Sequence, residues 1–383
     1  MIIGLVGKPS SGKSSFFKAA TTIDIKISPV PFTTISPNTG IAYVTIDCVC
    51  KELDTQCNPR HGYCKDGKRF IPVKLVDVGG LIPGSHLGKG IGNKFLDEIR
   101  QASVLIQIVD ASGLTDEEGK PTENFDPRKE IEFLKEEIDK WFEYVIKRNL
   151  EKIKGKLTTA REELINLLHE QLSGLEVTKE QISQTLNRVS INDVEKFSQI
   201  LRELSKPIIF AANKIDLKSA QENFEKLKNE YKNVIPTSAE AEIALKKAAE
   251  KKLINYHISN GFEVIGELDN AQKSALEFIK REVIDKFGST GVQECLNKAV
   301  FEILNYIAVY PVADINKLTD KDGNILPDVF LVPNGTMVRD FAFKIHTQLG
   351  EKFVTGIDAK TKMRLAADHK LKHKDIVSIV FSR

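Results

Sequence analysis

Residues 2–20 read IIGLVGKPSSGKSSFFKAA, and this stretch restricts the possible folds more than any other. Ile2–Val6 is an apolar run rich in β formers, long enough for a buried strand and too short for a helix. Gly7 bounds it, and the residues after Ser11 read as the opening turns of a helix. Strand, Gly-x-x-x-x-Gly-Lys-Ser, helix is the context of a phosphate-cradling P-loop. Gly7 and Gly12 let backbone N–H groups turn inward around phosphate oxygens, and Lys8, Pro9, Ser10 and Ser11 complete the loop. Lys13 would add a point charge at the β- and γ-phosphates, and Ser14 a hydroxyl ligand for Mg2+. Ser15 would continue the cradle toward the α-phosphate as the helix N-terminus faces the anion. The competing reading is a chance Gly/Ser turn.

Three more stretches bear on that choice. VKLVDVGG (residues 73–80) is an apolar strand ending in Asp-x-x-Gly, with Asp77 placed to hold Mg2+ through water and the Gly80 N–H to meet a γ-phosphate. PIIFAANKID (207–216) is a buried strand ending in Asn213-Lys214-x-Asp216. The Asp216 carboxylate can accept from guanine N1–H and the 2-amino group, a donor pair that adenine lacks. VIPTSA (234–239) ends a last strand in Thr-Ser-Ala, whose backbone at Ser238 and Ala239 can reach the guanine carbonyl. Four such stretches, in this order and each at a strand end, indicate a GTP site with Mg2+. PFTTISPNTG (31–40) lies between the first two; Phe32 would border the nucleotide, and either Thr33 or Thr34 could complete the metal shell.

With VLIQIVD (104–110) and GIAYVTI (40–46) the apolar strands number six, separated by helical stretches. That pattern predicts an α/β doubly wound, mostly parallel sheet with helices on both faces. From about residue 128 to 204 the sequence turns into Lys/Glu-rich helix with apolar stripes such as Ile131, Leu134, Ile138, Trp141 and Phe142. An inserted helical subdomain is expected there, either as a partner arm or as helices that pack on their neighbours. Asn192 or Asp193 would cap its last helix. The nucleotide domain then occupies 1–127 and resumes over 205–305, with a helix over 271–287 stopped by Gly288. A final β-grasp-like domain spans 306–383, with a helix capped by Thr336 and stopped by Gly350.

The formal net charge is +2. From Thr336 onward there are ten Lys/Arg and five Asp/Glu, so the tail is +5 against −3 for the remainder (45 Lys/Arg, 48 Asp/Glu). Lys360, Lys362, Arg364, Lys370, Lys372 and Lys374 fall on its predicted late loops. RNA contact and a solvated basic surface both explain this, since no aromatic residues interleave to stack bases. Five cysteines, an odd number, argue against a disulfide framework. Cys48, Cys50, Cys57 and Cys64, with His61 nearby, have the donors for Zn2+. Their spacing, Cys-x-Cys followed by two gaps of six residues, matches no common zinc knuckle, and reduced thiols in a loop are the other reading. No apolar run reaches spanning length and no leader is evident, so a cytoplasmic monomer without membrane contact is expected.

The segments GKPSSGKSS, PFTTISPNTG, DVGGLIPGSHLGKGIGNKFLDEIRQAS and NKID together resemble the Obg superfamily of translation-factor-class GTPases. The insert and C-terminal region resemble its YchF-type branch, most closely the archaeal members, over nearly the whole chain. The resemblance implies that Thr34 is the Mg2+-linked threonine, that GTP or ATP is hydrolysed, that the last domain is a TGS domain, and that the chain associates with ribosomes or translation. Bacterial and eukaryotic YchF-type members lack Asn-Lys-x-Asp and prefer ATP; this chain keeps it, so guanine is expected. Potassium-stimulated relatives carry Asn where Ser10 stands, and a shorter serine is a poorer potassium ligand. Leu81 occupies the position of the water-orienting Gln of many GTPases, which predicts slow intrinsic turnover. His86, in a loop holding Gly84, Gly88, Gly90 and Gly92, is a candidate to approach the γ-phosphate; Lys89 and Arg100 are weaker candidates for charge neutralisation.

Overall fold

The computed structural model describes residues 1–21, 38–79, 98–153, 160–258 and 261–382. Phe32, Thr33, Thr34, Gly80, Leu81, His86 and Lys89 lie outside these residues. The chain divides into two compact units. One holds the described residues of Met1–Asp24, Ile35–Ala42 and Lys74–Cys295; the other holds those of Tyr43–Val73 and Leu296–Arg383.

All six predicted strands form: β1 (Ile2–Val6), β2 (Thr39–Asp47), β4 (Lys68–Asp77), β5 (Val104–Asp110), β6 (Ile208–Asn213) and β7 (Val234–Pro236). A short β3 (Tyr63–Lys65) was not predicted; it forms a hairpin with β4, pairing Cys64 with Arg69. In the first unit the order is β4-β1-β5-β6-β7, parallel throughout. Every residue of β5 is buried, as expected of a central parallel strand covered on both faces. The carboxyl ends of β1, β4, β5 and β6 therefore deliver Gly7, Asp77, Asp110 and Asn213 to one edge of the sheet, where open α/β sheets bind ligands.

The inserted helices are Pro127–Glu151, Arg161–Gln171, Lys179–Leu186 and Val194–Ser205. Their stripes do pack on one another: Leu134, Ile138, Phe142, Leu168, Ile182, Phe197 and Leu201 share one core with Val6, Val78 and Leu105 of the sheet. Asp193, not Asn192, caps the last of them by accepting from the Lys196 N–H. The first helix starts with Pro127 behind an Asp126 cap that accepts from the Arg128 N–H. Its first turns serve the sheet as well: Ile131 packs beside Val109 and Ala212 in a second core. The helical path beginning at Asn270 ends at Gly288, whose φ of 79° is the left-handed stop predicted for it.

Also in the first unit, β8 (Ile254–His257) and β9 (Gly261–Val264) pair as an antiparallel hairpin. In the second unit, β10 (Tyr306–Pro311), β11 (Phe330–Pro333), β12 (Phe353–Asp358), β13 (Arg364–Leu365) and β14 (Ile376–Phe381) form a sheet in the order β11-β10-β14-β12-β13. Helix Val338–Ile345 packs on it through Val338 and Phe341. Three expectations for this region need correction. Met337, not Thr336, stands at the N-cap; the Thr336 hydroxyl instead donates to the Pro333 carbonyl at 2.6 Å. The helix stops at Ile345 rather than at Gly350, because His346 is extended. Gly350 falls inside a second short helix, Thr347–Glu351, where a Cβ would meet the Phe343 ring at 2.2 Å. The basic cluster is also not wholly on loops or in solvent. Arg364 lies in β13, Lys360 and Lys374 both pair with Glu52 at 3.2 and 2.8 Å, and Lys362 donates to the Ile315 carbonyl.

Candidate functional site

The P-loop leaves β1 at Val6 and enters helix Lys13–Thr21. Gly7 is pressed against β5, and a Cβ there would lie 2.7 Å from the Ile108 carbonyl oxygen. Gly12 has φ +91° and faces Asn213: an added Cβ would come within 2.2 Å of Nδ2. Glycine is needed here both for its backbone conformation and for the approach of that side chain. Ser10 is exposed with φ 62°, Ser11 is buried, and Ser14 is exposed on the first turn of the helix.

Asn213 is the bracket of the site. Its Nδ2 donates to the Ser11 carbonyl at 2.9 Å, and its Oδ1 accepts from the Ala239 N–H at 3.1 Å. One amide thus ties the end of β6 to the P-loop and to the start of helix Ala239–Glu250. Ser238 caps that helix; its hydroxyl accepts from the Ala241 N–H at 3.3 Å and donates to Asp216 Oδ1 at 2.7 Å. Gly12, Ser15, Asn213, Lys214, Asp216, Leu217, Ser238, Ala239 and Glu240 line a cleft of about 240 Å³. The structure therefore brings the loop after β6, the loop after β7 and one wall of the P-loop around a single concavity.

At the other end of the P-loop, Lys13 forms an ion pair with Asp77 Oδ1. An ammonium and a carboxylate in contact, with the Ser14 hydroxyl exposed on the adjoining helical turn, place oxygen donors of the type preferred by hard divalent cations beside the Lys13 ammonium. The described residues fit Mg2+ in this respect.

The side-chain contacts of Lys8 and Lys214, both site candidates from the sequence, were not foreseen, and Asp110, Glu130 and Glu240 were not singled out at all. Lys8 sits within the P-loop, yet its side chain is only 3% exposed and faces the protein. Its ammonium donates to the Thr115 and Asp116 carbonyls at 2.7 and 2.8 Å, lies 3.4 Å from Glu130 Oε2 and sits over the Phe125 ring. Only its backbone is left to serve a phosphate. Lys214 crosses to Asp110 Oδ2 at 2.8 Å, while Ser112 and Thr115 also donate to that carboxylate. Burial works against the Asp110 charge, but these donors outweigh it and hold the carboxyl below its ordinary value. Glu240 accepts from the Ser15 hydroxyl at 2.6 Å and lines the cleft. The available signal for Asp110 was its place at the end of β5, next to Asn213 at the end of β6.

Glu130 is fully enclosed, and burial pushes its carboxyl up from 4.5 to about 7, with Lys8 and the Asp110 N–H only partly compensating. A carboxyl raised in the folded state keeps its proton while the unfolded chain has already lost it. This contribution to stability is therefore complete below pH 4.5 and disappears as pH rises to about 7. The change should amount to about 3 kcal/mol at most. Urea unfolding at several pH values across that window should show it, and Glu130→Gln should flatten the profile. An unchanged slope in the variant would refute the assignment.

A parallel sheet in this order, with a Gly-x-x-x-x-Gly-Lys-Ser turn after β1 and Asn-Lys-x-Asp after β6, belongs to the P-loop GTPase class of nucleotide-binding proteins. Family profiles agree along the chain: "50S ribosome-binding GTPase" matches residues 2–152, "Obg-like GTPase YGR210-like, G4 motif-containing domain" matches 211–314, and "TGS domain" matches 315–381. An uncharacterized GTP-binding protein of Methanocaldococcus jannaschii is 49% identical over 390 residues, 99% of this chain and 98% of its own. The crystal structure of a GTP binding protein from Pyrococcus horikoshii OT3 is 38% identical and covers 100% of both chains with a TM-score of 0.79. The ribosome-binding ATPase YchF of Mycoplasma genitalium is 31% identical over 215 residues, 55% of each chain. The chain belongs to the YchF-like Obg-family GTPases and is a GTP-binding protein with a C-terminal TGS domain. Among the described residues no helix is long and apolar enough to cross a membrane.

Proposed function

We propose that this chain hydrolyses GTP to GDP and phosphate with Mg2+, and acts as a nucleotide-dependent switch on a ribosome or RNA. The observation that carries the reading is Asp216 in the wall of the cleft, held at Oδ1 by Ser238 and three residues beyond P-loop-bound Asn213. Such a carboxylate suits the paired N1–H and 2-amino donors of guanine. An adenine base would leave it desolvated and unpaired. The main chain of Gly7–Gly12 would take the phosphates, and the Ala239 region the guanine carbonyl. Bound Mg2+ supplies charge neutralisation at the β- and γ-oxygens; Ser14, Thr34 and, through water, Asp77 are the residues that would hold it. Lys13 would leave Asp77 for the phosphates, and Gly80 and His86 would face the γ-phosphate. Leu81 carries no group that can orient water, so intrinsic turnover is slow and a partner supplies the missing group in trans.

The ribosomal part of the reading is supported by the names of relatives and by the TGS domain. Among the cations of that cluster, Arg364, Lys370 and Lys372 are exposed, form no ion pair among the described residues and are left to meet a polyanion. The deciding experiment has two arms. In the first, ATP is added at equal concentration to compete with labelled GTP; equal displacement would overturn guanine selectivity in favour of an ATPase of the same fold. In the second, ribosomal subunits are sedimented with the chain in GDP, a nonhydrolysable GTP analogue and no nucleotide. Co-sedimentation should depend on the nucleotide and weaken with salt. Its absence at low salt would overturn the ribosomal role.

A further inference from the structure

The loop between β2 and β4 gathers Cys48, Cys50, Cys57 and Cys64 so that their four Sγ atoms lie within 4.8 Å of one another. Cys48 Sγ is 3.8 Å from Cys57 Sγ, and Cys50 Sγ is 3.8 Å from Cys64 Sγ. Three of the four are buried, and all are free of disulfides. Four thiolates bound to one zinc ion at about 2.3 Å stand at the corners of a tetrahedron about 3.8 Å on edge. The pairs Cys48–Cys57 and Cys50–Cys64 share no atom, as opposite edges of such a tetrahedron do, and both already have that length. We propose that these four thiolates form a closed, structural Zn2+ site.

The surroundings suit the charge that such a centre carries. Zn2+ with four thiolates has a net charge of −2 and needs nearby positive charge or donors. Arg69, paired with Cys64 across the β3–β4 hairpin, is 0% exposed. Its terminal nitrogens donate to the Leu326 and Pro327 carbonyls at 3.0 and 2.7 Å, and its buried Nε has no hydrogen-bond partner. Among the described residues no carboxylate pairs with this guanidinium. A fully buried cation with only carbonyls around it is costly, and an adjacent anionic metal centre supplies the missing counter-charge. The Tyr310 hydroxyl donates to Cys48 Sγ at 3.9 Å, in the way outer donors steady metal-bound sulfur. Four thiolates this close would repel strongly without a cation, and the space among them fits one ion with no room for bridging sulfide.

The spacing escaped recognition as a zinc motif because the ligands come from different local structures. Cys48 and Cys50 come from the start of the short helix Val49–Glu52, Cys57 from the loop after it, and Cys64 from β3. The tight turn at Asp66 and Gly67, both with positive φ, reverses the chain one residue after Cys64.

The test uses the full chain purified without chelators. Elemental analysis should find one zinc per chain, released to a colorimetric zinc indicator as an organic mercurial titrates the thiols. Replacement by Co2+ should give sulfur-to-cobalt charge-transfer bands and the d–d absorption of a tetrahedral site. Cys57→Ser and Cys64→Ser should lose the zinc, whereas Cys295→Ser, outside the cluster, should retain it. Because cluster variants can fail to fold, the wild-type stoichiometry and cobalt spectrum decide by themselves. Zinc far below one equivalent, iron in its place, or disulfides among these cysteines in the purified chain would overturn the proposal. None of these readouts depends on nucleotide binding, so the result is independent of the GTPase reading.

Discussion

Asp216→Asn should weaken GDP and GTP binding by roughly 10²–10⁴-fold, the loss of two hydrogen bonds to a charged acceptor at about 1.5–3 kcal/mol each. The amide can still accept from Ser238 through its oxygen, so the helix cap and the wall of the cleft stay in place. What changes is the face presented to the base: an N–H2 now opposes the guanine 2-amino group. Xanthine carries a carbonyl at that position, and the variant should bind xanthosine diphosphate better than GDP. Displacement of a fluorescent nucleotide by GDP, XDP and ADP measures all three affinities. Unchanged GDP affinity would mean that Asp216 does not read the base and that the cleft serves another ligand.

The second large effect is expected at Lys13. Lys13→Ala removes the cation that pairs with Asp77 and that the proposed reaction aims at the β- and γ-phosphates. Removal of a single preorganised charge of this type costs about 10²–10³-fold in the chemical step. Stability should hardly change, because both partners are partly exposed and such pairs contribute about 1 kcal/mol or less. Single-turnover GTP hydrolysis and a thermal melt separate the two. Full hydrolysis with an intact melt would remove Lys13 from the reaction; a collapsed melt would show that the Lys13–Asp77 pair holds the fold.

The strand ends were legible because each buried apolar run finishes in a residue of distinct chemistry: Gly7 after β1, Asp77 at the end of β4, Asn213 at the end of β6. Periodicity also disclosed the insert, whose stripes at Leu134, Ile138 and Phe142 bury together. The illegible part consists of side chains whose partners lie far along the chain. Lys8 reads as a loop cation, and only the fold brings Thr115, Asp116 and Glu130 around it. Asp110 and Lys214 are 104 residues apart and meet because β5 and β6 are neighbours. Asp193 caps its helix as expected, whereas the cap expected at Thr336 failed for a local reason: Thr336 is a good cap by type, but its hydroxyl is already engaged by Pro333, and the helix begins one residue later. Gly350 has the composition of a stop, yet it is required by the Phe343 ring rather than by backbone conformation.

Asn213 joins the Ser11 carbonyl to the Ala239 N–H. This makes the path by which such a protein could change its nucleotide over generations uneven. A substitution at Asn213 would loosen the loop under the phosphates while altering the wall beside the base, so descendants carrying it would lose affinity before gaining a new preference. Asp216 is held by Ser238 rather than by the P-loop, so its replacement exchanges one base preference for another without loosening that loop. Among descendants of such a chain, drift from one purine to another should therefore begin at Asp216, with Asn213 replaced afterwards.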